Sequence, residues 1–269
     1  MSRPWVIDIE TVPLGTVSGG LTGVPSHWMD AVPYQPPEPR KVPASYRDPA
    51  KIAAKQRELE LRYQHQLAAD QAEHAAKRAA EWKARALSPY TAEVIALAMH
   101  PVQADPLEEH GDVEVLAWQS ETVNEAQLLR GLEAALVRHQ VTHLVSWGSY
   151  DPPVLREAMC RHDLHLPALE NLTRQSVRGR AWYTKCLDAS VLTHARHANH
   201  SRGWGLKHIA RQLGWDDPAS VKSASVYDAW LAGDYHGCAE RAAVDVWLVL
   251  RILERERALH DVIDWARGN

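Results

Sequence analysis

The chain has 269 residues, 45% hydrophobic and 24% charged, with a formal charge of −4. That length buries a full core, as one large domain or one domain with an appendage, and the balance is that of an ordinary globular protein. The mild acidity argues against a non-specific coat for duplex nucleic acid, which presents a basic face, and the absence of a long uncharged apolar run argues against a signal peptide or membrane span. Cys160, Cys186 and Cys238 are scattered, without metal-ligand spacing, and their odd number fits a reducing cytoplasm. Phe is absent while Trp reaches 11, so Trp and Tyr carry the aromatic core.

Trp5-Val6-Ile7 running into Asp8-Ile9-Glu10 predicts a buried strand with a polar end. Residues 12 to 47 are rich in Pro and Gly and predict loop. Asp48-Pro49 then reads as a helix start, with Asp as N-cap and Pro at the first position. Ala, Glu, Gln, Lys and Arg dominate from there to about Leu87, predicting one long helix or two broken near Asp70. A single rod would span roughly 55–60 Å. Its thin apolar face suits a solvated arm or coiled hairpin better than a substrate clamp. Val94 to Met99 and Val113 to Trp118 predict strands, Asn124 to His139 a helix, and Thr142 to Trp147 another strand. Asp151-Pro152-Pro153 opens a helix reaching 163, and another strand or short element surrounds Leu187-Asp188. Helices are expected over Gly205–Leu213, Ser223–Leu231 and about Tyr235 to Ala258. The order predicts an α/β mixed sheet covered by helices.

Four carboxylates stand out. Asp8 and Glu10, two apart on a strand, leave the same side while Ile9 faces the core. Like charges held together raise each other's pKa unless a cation lies between them, and a hard divalent ion suits oxygen ligands; a strand end open to water is the plain alternative. Asp245 interrupts an apolar stretch of the last helix, where an unpaired charge would cost several kcal/mol. It either pairs with Arg241, one turn earlier, or binds metal. Asp151 follows a strand and precedes two prolines, which suits a helix cap, but it also falls where open α/β sheets place ligands. Asp188 suits structural capping.

Taken in order, Asp8-Ile9-Glu10-Thr11-Val12-Pro13, Ser146-Trp147-Gly148-Ser149-Tyr150-Asp151-Pro152-Pro153 and Asp245-Val246 resemble the three motifs of the DEDD (DnaQ-like) exonuclease superfamily. Within it, the chain is most similar to 3′→5′ exonucleases like the proofreading domain of family B polymerases. Gly205-Leu206-Lys207-His208 to Gly214 resembles that family's helix after the Asp188 element, and Tyr46 to Ile52 with Ala86-Leu87-Ser88-Pro89 resemble flanks of a helical insertion in phage-type members. The resemblance implies a ribonuclease H-like mixed sheet flanked by helices, forming a single exonuclease domain over 1–269 with 48–87 a helical insertion after the first strand. It implies hydrolysis with two Mg²⁺ or Mn²⁺ ions. Asp8 would bridge both ions, Glu10 and Asp245 would complete one site, and Asp151 would hold the second through water. Main-chain groups near Thr11 would receive the terminal nucleotide, and Tyr150 would pack on a base or sugar.

The chain departs from the family at one point. A Tyr four residues, or a His five residues, before the third-motif Asp usually orients the attacking water; here Arg241 and Glu240 stand there. Arginine has no acceptor and does not lose its proton, so metal alone, Glu240, Tyr235 or His236 would have to serve. The expected activity is removal of nucleotides from a single-stranded nucleic-acid 3′ end, with DNA the expected polymer. The alternative is a weakly catalytic module that binds such ends, or a protein partner through the 48–87 helix; no membrane partner is expected.

Overall fold

The computed structural model describes residues 4–13, 34–39, 41, 43, 47–103, 113–117, 124–174, 185–194, 205–222 and 225–268. The expected loop at 14–33, the Tyr46 flank, Trp118 and the helix start at Ser223 lie outside these residues. The chain divides into two compact units, Met1–Leu14 with Arg85–Asn269, and Gly15–Ala84. The second unit thus begins ahead of Asp48, where the sequence changes character.

In the larger unit, strands β1 (Pro4–Pro13), β2 (Ala92–Pro101), β3 (Glu114–Ala117), β4 (His143–Ser146) and β5 (Cys186–Asp188) form one sheet. Their order is β3-β2-β1-β4-β5. β2 runs antiparallel to β1 and β3, while β4 pairs parallel with β1 and β5. The sheet is therefore mixed, with β2 the reversed strand. Alternation along β1 sorts its side chains: Trp5, Ile7 and Ile9 enter one core, Val6 the other. β1 also runs longer than its sequence suggests, since Thr11-Val12-Pro13, expected in loop, pair with Val94, Glu93 and Ala92. The register steps from Glu10↔Ala96 to Thr11↔Val94, leaving Ile95 as the extra residue of a bulge beside the acidic strand end.

Each face of the sheet carries a helical layer. Against Trp5, Ile7 and Ile9 pack α2 (Glu125–Arg138), α3 (Asp151–Arg161) and α4 (Pro167–Leu172). A capping box starts α2: Asn124 accepts from the Gln127 amide at 3.0 Å, and the Gln127 side chain accepts from the Asn124 amide at 2.9 Å. Against Val6, Ala98 and Val145 pack α6 (Leu206–Gln212), α8 (Tyr235–Arg255) and α9 (Leu259–Gly268). Short helices α5 (Ala189–His194) and α7 (Val226–Leu231) complete this unit. Ala242, Val246, Val249, Ile252 and Leu253 repeat at helical spacing on the buried face of α8. Each fully buried aliphatic side chain of that stripe contributes about 1.5–3 kcal/mol.

α4 and α9 were not expected from sequence. The first is a single Pro-started turn; the second follows a break at Arg257, whose φ of 57° ends the helix expected to run to Ala258.

The smaller unit contains α1 (Pro49–Ala84), 36 residues or about 54 Å at the usual rise. It is continuous through Asp70, so the single-rod expectation holds over the broken one. Asp48 Oδ1 accepts from the Ala50 amide at 2.9 Å, the N-cap role its position predicts. Charge pairs such as the half-buried Lys55–Glu58 at 2.8 Å recur along it, as suits a helix with little apolar face.

Candidate metal centre

The parallel strands β1, β4 and β5 end on the same edge, because Val6 aligns with Val145 and Ser146 with Asp188. Asp8 and Glu10 lie beyond that register on β1, on the same face as Val6. α8 crosses this face, and its buried stripe brings Asp245 over them. Ligand oxygens of Asp8, Glu10 and Asp245 all lie within 4.8 Å of one another. Residues separated by over 230 positions thus meet because a strand places two carboxylates, and a helix one, where apolar side chains would continue the core.

Asp151 approaches from β4 through the turn at Gly148, whose φ of +86° suits glycine. That turn is held twice, by the Ser146 hydroxyl donating to the Gly148 carbonyl at 2.9 Å and by the Gly148 amide donating to Asp188 Oδ1 at 2.8 Å. Asp188 also accepts from the Ser190 amide at 2.9 Å, the structural role its sequence position suggests. Asp151 does not act as a helix cap, however. Tyr150 occupies the cap position, and Asp151 is the first helical residue, buried at 5% exposure, with its Oδ2 lacking any hydrogen-bond partner. The two prolines fix the helix start without a side-chain cap, which frees this carboxylate. Asp151 does not belong to the 4.8 Å trio, although its charge acts on Asp8 and Glu10 and that of Asp245 acts on it.

Burial is the main cause of the unusual acidities. Desolvation, then the charges of Asp245, Asp151 and Glu10, raise Asp8 well above the ordinary carboxylate range. Glu10 is pushed up to about 8 by burial and Asp245, against the opposing Lys207 and Arg241. Burial, Asp188 and Asp245 push Asp151 up to about 8. An all-oxygen donor set, partly buried and mutually repelling, with one orphaned carboxylate oxygen beside it, fits a hard divalent cation such as Mg²⁺ or Mn²⁺.

Two cations of the chain already meet this cluster. Arg241, fully buried, donates from Nη2 to Asp245 and from Nη1 to Asp217, and its Nε lies 4.0 Å from Glu10 Oε1. The pairing with Asp245 is the i, i+4 contact the sequence offered as one option. Lys207 Nζ lies 3.2 Å from Asp245 Oδ2. Neither Lys207 nor Asp217 stood out in sequence. Lys207 was legible only as part of a helix motif, and Asp217 lies in an irregular segment with no periodic signal.

The other expected site residues have different surroundings. Thr11 Oγ1 donates to the Ala86 carbonyl at 2.9 Å, Tyr150 donates to the same carbonyl, and the two hydroxyl oxygens are 3.2 Å apart. These groups therefore hold the 3₁₀ turn Arg85–Leu87 against the end of β1. Glu240 accepts from the Ser220 amide at 3.1 Å and from its hydroxyl, His236 is exposed, and the Tyr235 ring stands edge-on to Trp230. On α8, Glu240 and His236 are turned roughly 140° and 180° from Asp245 at 100° per residue. Neither shares its face.

No model of a known protein family matches the chain, and no characterised protein matches it. Among the described residues, no helix is long and apolar enough to cross a membrane.

Proposed function

We propose that the protein is a metal-dependent 3′→5′ exonuclease of ribonuclease H-like fold, acting on a nucleic-acid 3′ end, with single-stranded DNA the preferred polymer. The observation that carries this is the meeting of Asp8, Glu10 and Asp245 within 4.8 Å at the carboxyl edge of the parallel strands. The mixed sheet with helices on both faces supports the fold assignment, and the motif order supports the polarity. Asp8, Glu10 and Asp245 would hold one cation, and Asp151 with Asp8 a second. Bound there, the ions supply Lewis-acid stabilisation of charge on phosphoryl oxygens and acidify water.

The chain's own residues account for the rest. Uncompensated, the carboxylates would repel a phosphodiester, so the cluster needs positive charge before substrate can approach. Lys207, partly exposed beside Asp245, offers an ammonium at the rim. The Thr11 and Tyr150 pair fixes the wall next to Glu10. In the exonuclease reading, no side chain at the Arg241 position can accept a proton from water.

Arg241 within the cluster favours a second reading, a weakly catalytic module that binds single-stranded ends or, through α1, a protein partner. Digestion of 5′-labelled single- and double-stranded DNA and RNA with Mg²⁺, Mn²⁺ or chelator separates the two. The exonuclease shortens the labelled strand stepwise from its 3′ end, releasing unlabelled 5′-mononucleotides, and is slowed by a 3′ phosphate. Retention of the substrate uncut in every metal supports the binding module.

A further inference from the structure

Arg241 has more contacts than neutralising one buried carboxylate requires. It spans Asp245 and Asp217, and its Nε points toward Glu10 without a hydrogen-bond partner. Asp217 is held independently of it. Its segment, 215–222, lies along α8: Trp215 packs on Arg251, whose guanidinium carbon is 4.3 Å from the ring centroid, and Ser220 is bonded to Glu240. Lys222 donates to the Asp217 carbonyl at 3.0 Å. Gly237 makes the close approach feasible, since a Cβ there would overlap Asp234 and Val221. Asp217 is thus a fixed acceptor, outside the trio and within reach of the same guanidinium.

Given the cation-binding reading above, on which this inference rests, we propose that Arg241 is a built-in competitor for the metal site and that Asp217 is the post that retains its guanidinium when a divalent ion takes Asp245. The exchange breaks the Nη2–Asp245 hydrogen bond and keeps the Nη1–Asp217 one, so the buried arginine never loses every partner. Leaving it wholly unpaired in the interior would be strongly unfavourable. Burial alone would raise the Asp217 pKa, yet the hydrogen bond and charge of Arg241 hold it below the ordinary carboxylate value, consistent with a lasting ion pair. Asp217 is accordingly a positioning residue. It sets how easily Asp245 is vacated, and with it the ion concentration at which the site fills.

The test is Mn²⁺ binding by the full chain, read from loss of the free-ion electron paramagnetic resonance signal. Asp217→Asn keeps an acceptor but removes the charge that retains the guanidinium, leaving Asp245 and Glu10 as the anions nearest it, so Mn²⁺ affinity falls about tenfold, or ~1.4 kcal/mol. Arg241→Gln removes the competitor and raises affinity by a similar factor. The double variant matches Arg241→Gln, because the post has nothing left to hold; a merely structural Asp217 would show no such rescue. Asp217→Asn binding like the wild type, or a double variant that keeps the weakened affinity, overturns the proposal. If Arg241→Gln does not fold, the wild-type structure with Mn²⁺ decides. Arg241 bonded to Asp217 and parted from Asp245 supports the exchange, and Arg241 still on Asp245 overturns it. Asp8→Asn separates the two levels. Wild-type binding lost in Asp8→Asn but unchanged in Asp217→Asn and Arg241→Gln sinks this inference alone. No Mn²⁺ binding by either wild type or Arg241→Gln sinks the cation reading with it.

Discussion

Two buried carboxylate sites lie on this fold, and they are built in opposite ways. Glu125, on the layer that covers Trp5, Ile7 and Ile9, is 1% exposed. It accepts from the Val94 amide at 2.7 Å and from Arg161 Nη2 at 2.9 Å, and His162 Nε2 lies at 2.7 Å. Arg161 also reaches the Ala92 carbonyl at 2.9 Å, so the network ties α2, α3 and β2 together. Every valence of that carboxylate is used, which is what a structural buried charge requires. Across the sheet, Asp8, Glu10 and Asp245 crowd one another, and Asp151, at the start of α3, keeps an unpartnered oxygen. A satisfied buried charge holds a fold together; a group of carboxylates only partly compensated keeps a repulsion that a bound cation would relieve.

The largest contrast comes from replacing Asp8 with Asn. Cleavage of a labelled oligonucleotide should fall about a thousandfold, or ~4 kcal/mol of barrier, with the circular dichroism spectrum unchanged. Retained activity would remove the acidic face from the mechanism. Arg161→Met tests the other face. It leaves Glu125 buried without its main partner and should cost about 3–5 kcal/mol in a denaturant titration. Mn²⁺ affinity of the folded fraction should stay as in the wild type; a loss there would mean that the two sites are not separate.

The pH dependence sharpens the difference further. Glu10 and Asp151 titrate at about 8 in the folded chain, far above their ordinary values, and Asp8 is raised in the same sense. Between roughly pH 4 and pH 8 the folded state therefore binds more protons than the unfolded one, and stability falls as pH rises through that window. Melts in chelator should show the midpoint dropping from pH 5 to pH 8, with Mn²⁺ recovering it at pH 8. Asp151→Asn should flatten the drop. A midpoint that rises over this range without metal would contradict the stored repulsion. The smallest effect expected is that of Tyr150→Phe, which removes the hydrogen bond to Ala86 at the site wall. It should destabilise the chain by about 1 kcal/mol and leave Mn²⁺ affinity unchanged, measured by thermal melting and titration.

Much of this organisation follows from local pattern. The alternation in Trp5 to Glu10 gave the strand, its core face and the shared side of the two acids, because strand periodicity is a property of neighbouring residues. The apolar spacing around Asp245 likewise put a charge on a buried helical stripe, and Asp48-Pro49 marked where α1 begins. What local pattern left open was which partner each buried charge would find. Asp245 offered Arg241 or a metal, and Asp151 offered a helix cap or a ligand position; it is the first helical residue, with Oδ2 lacking a partner. Glu125, Asp217 and Lys207 gave no periodic sign of their roles, although Glu125 joins three elements. These pairings join segments tens to hundreds of residues apart, and their energies depend on burial and distance, which exist only once the sheet has brought β1, β4 and α8 together.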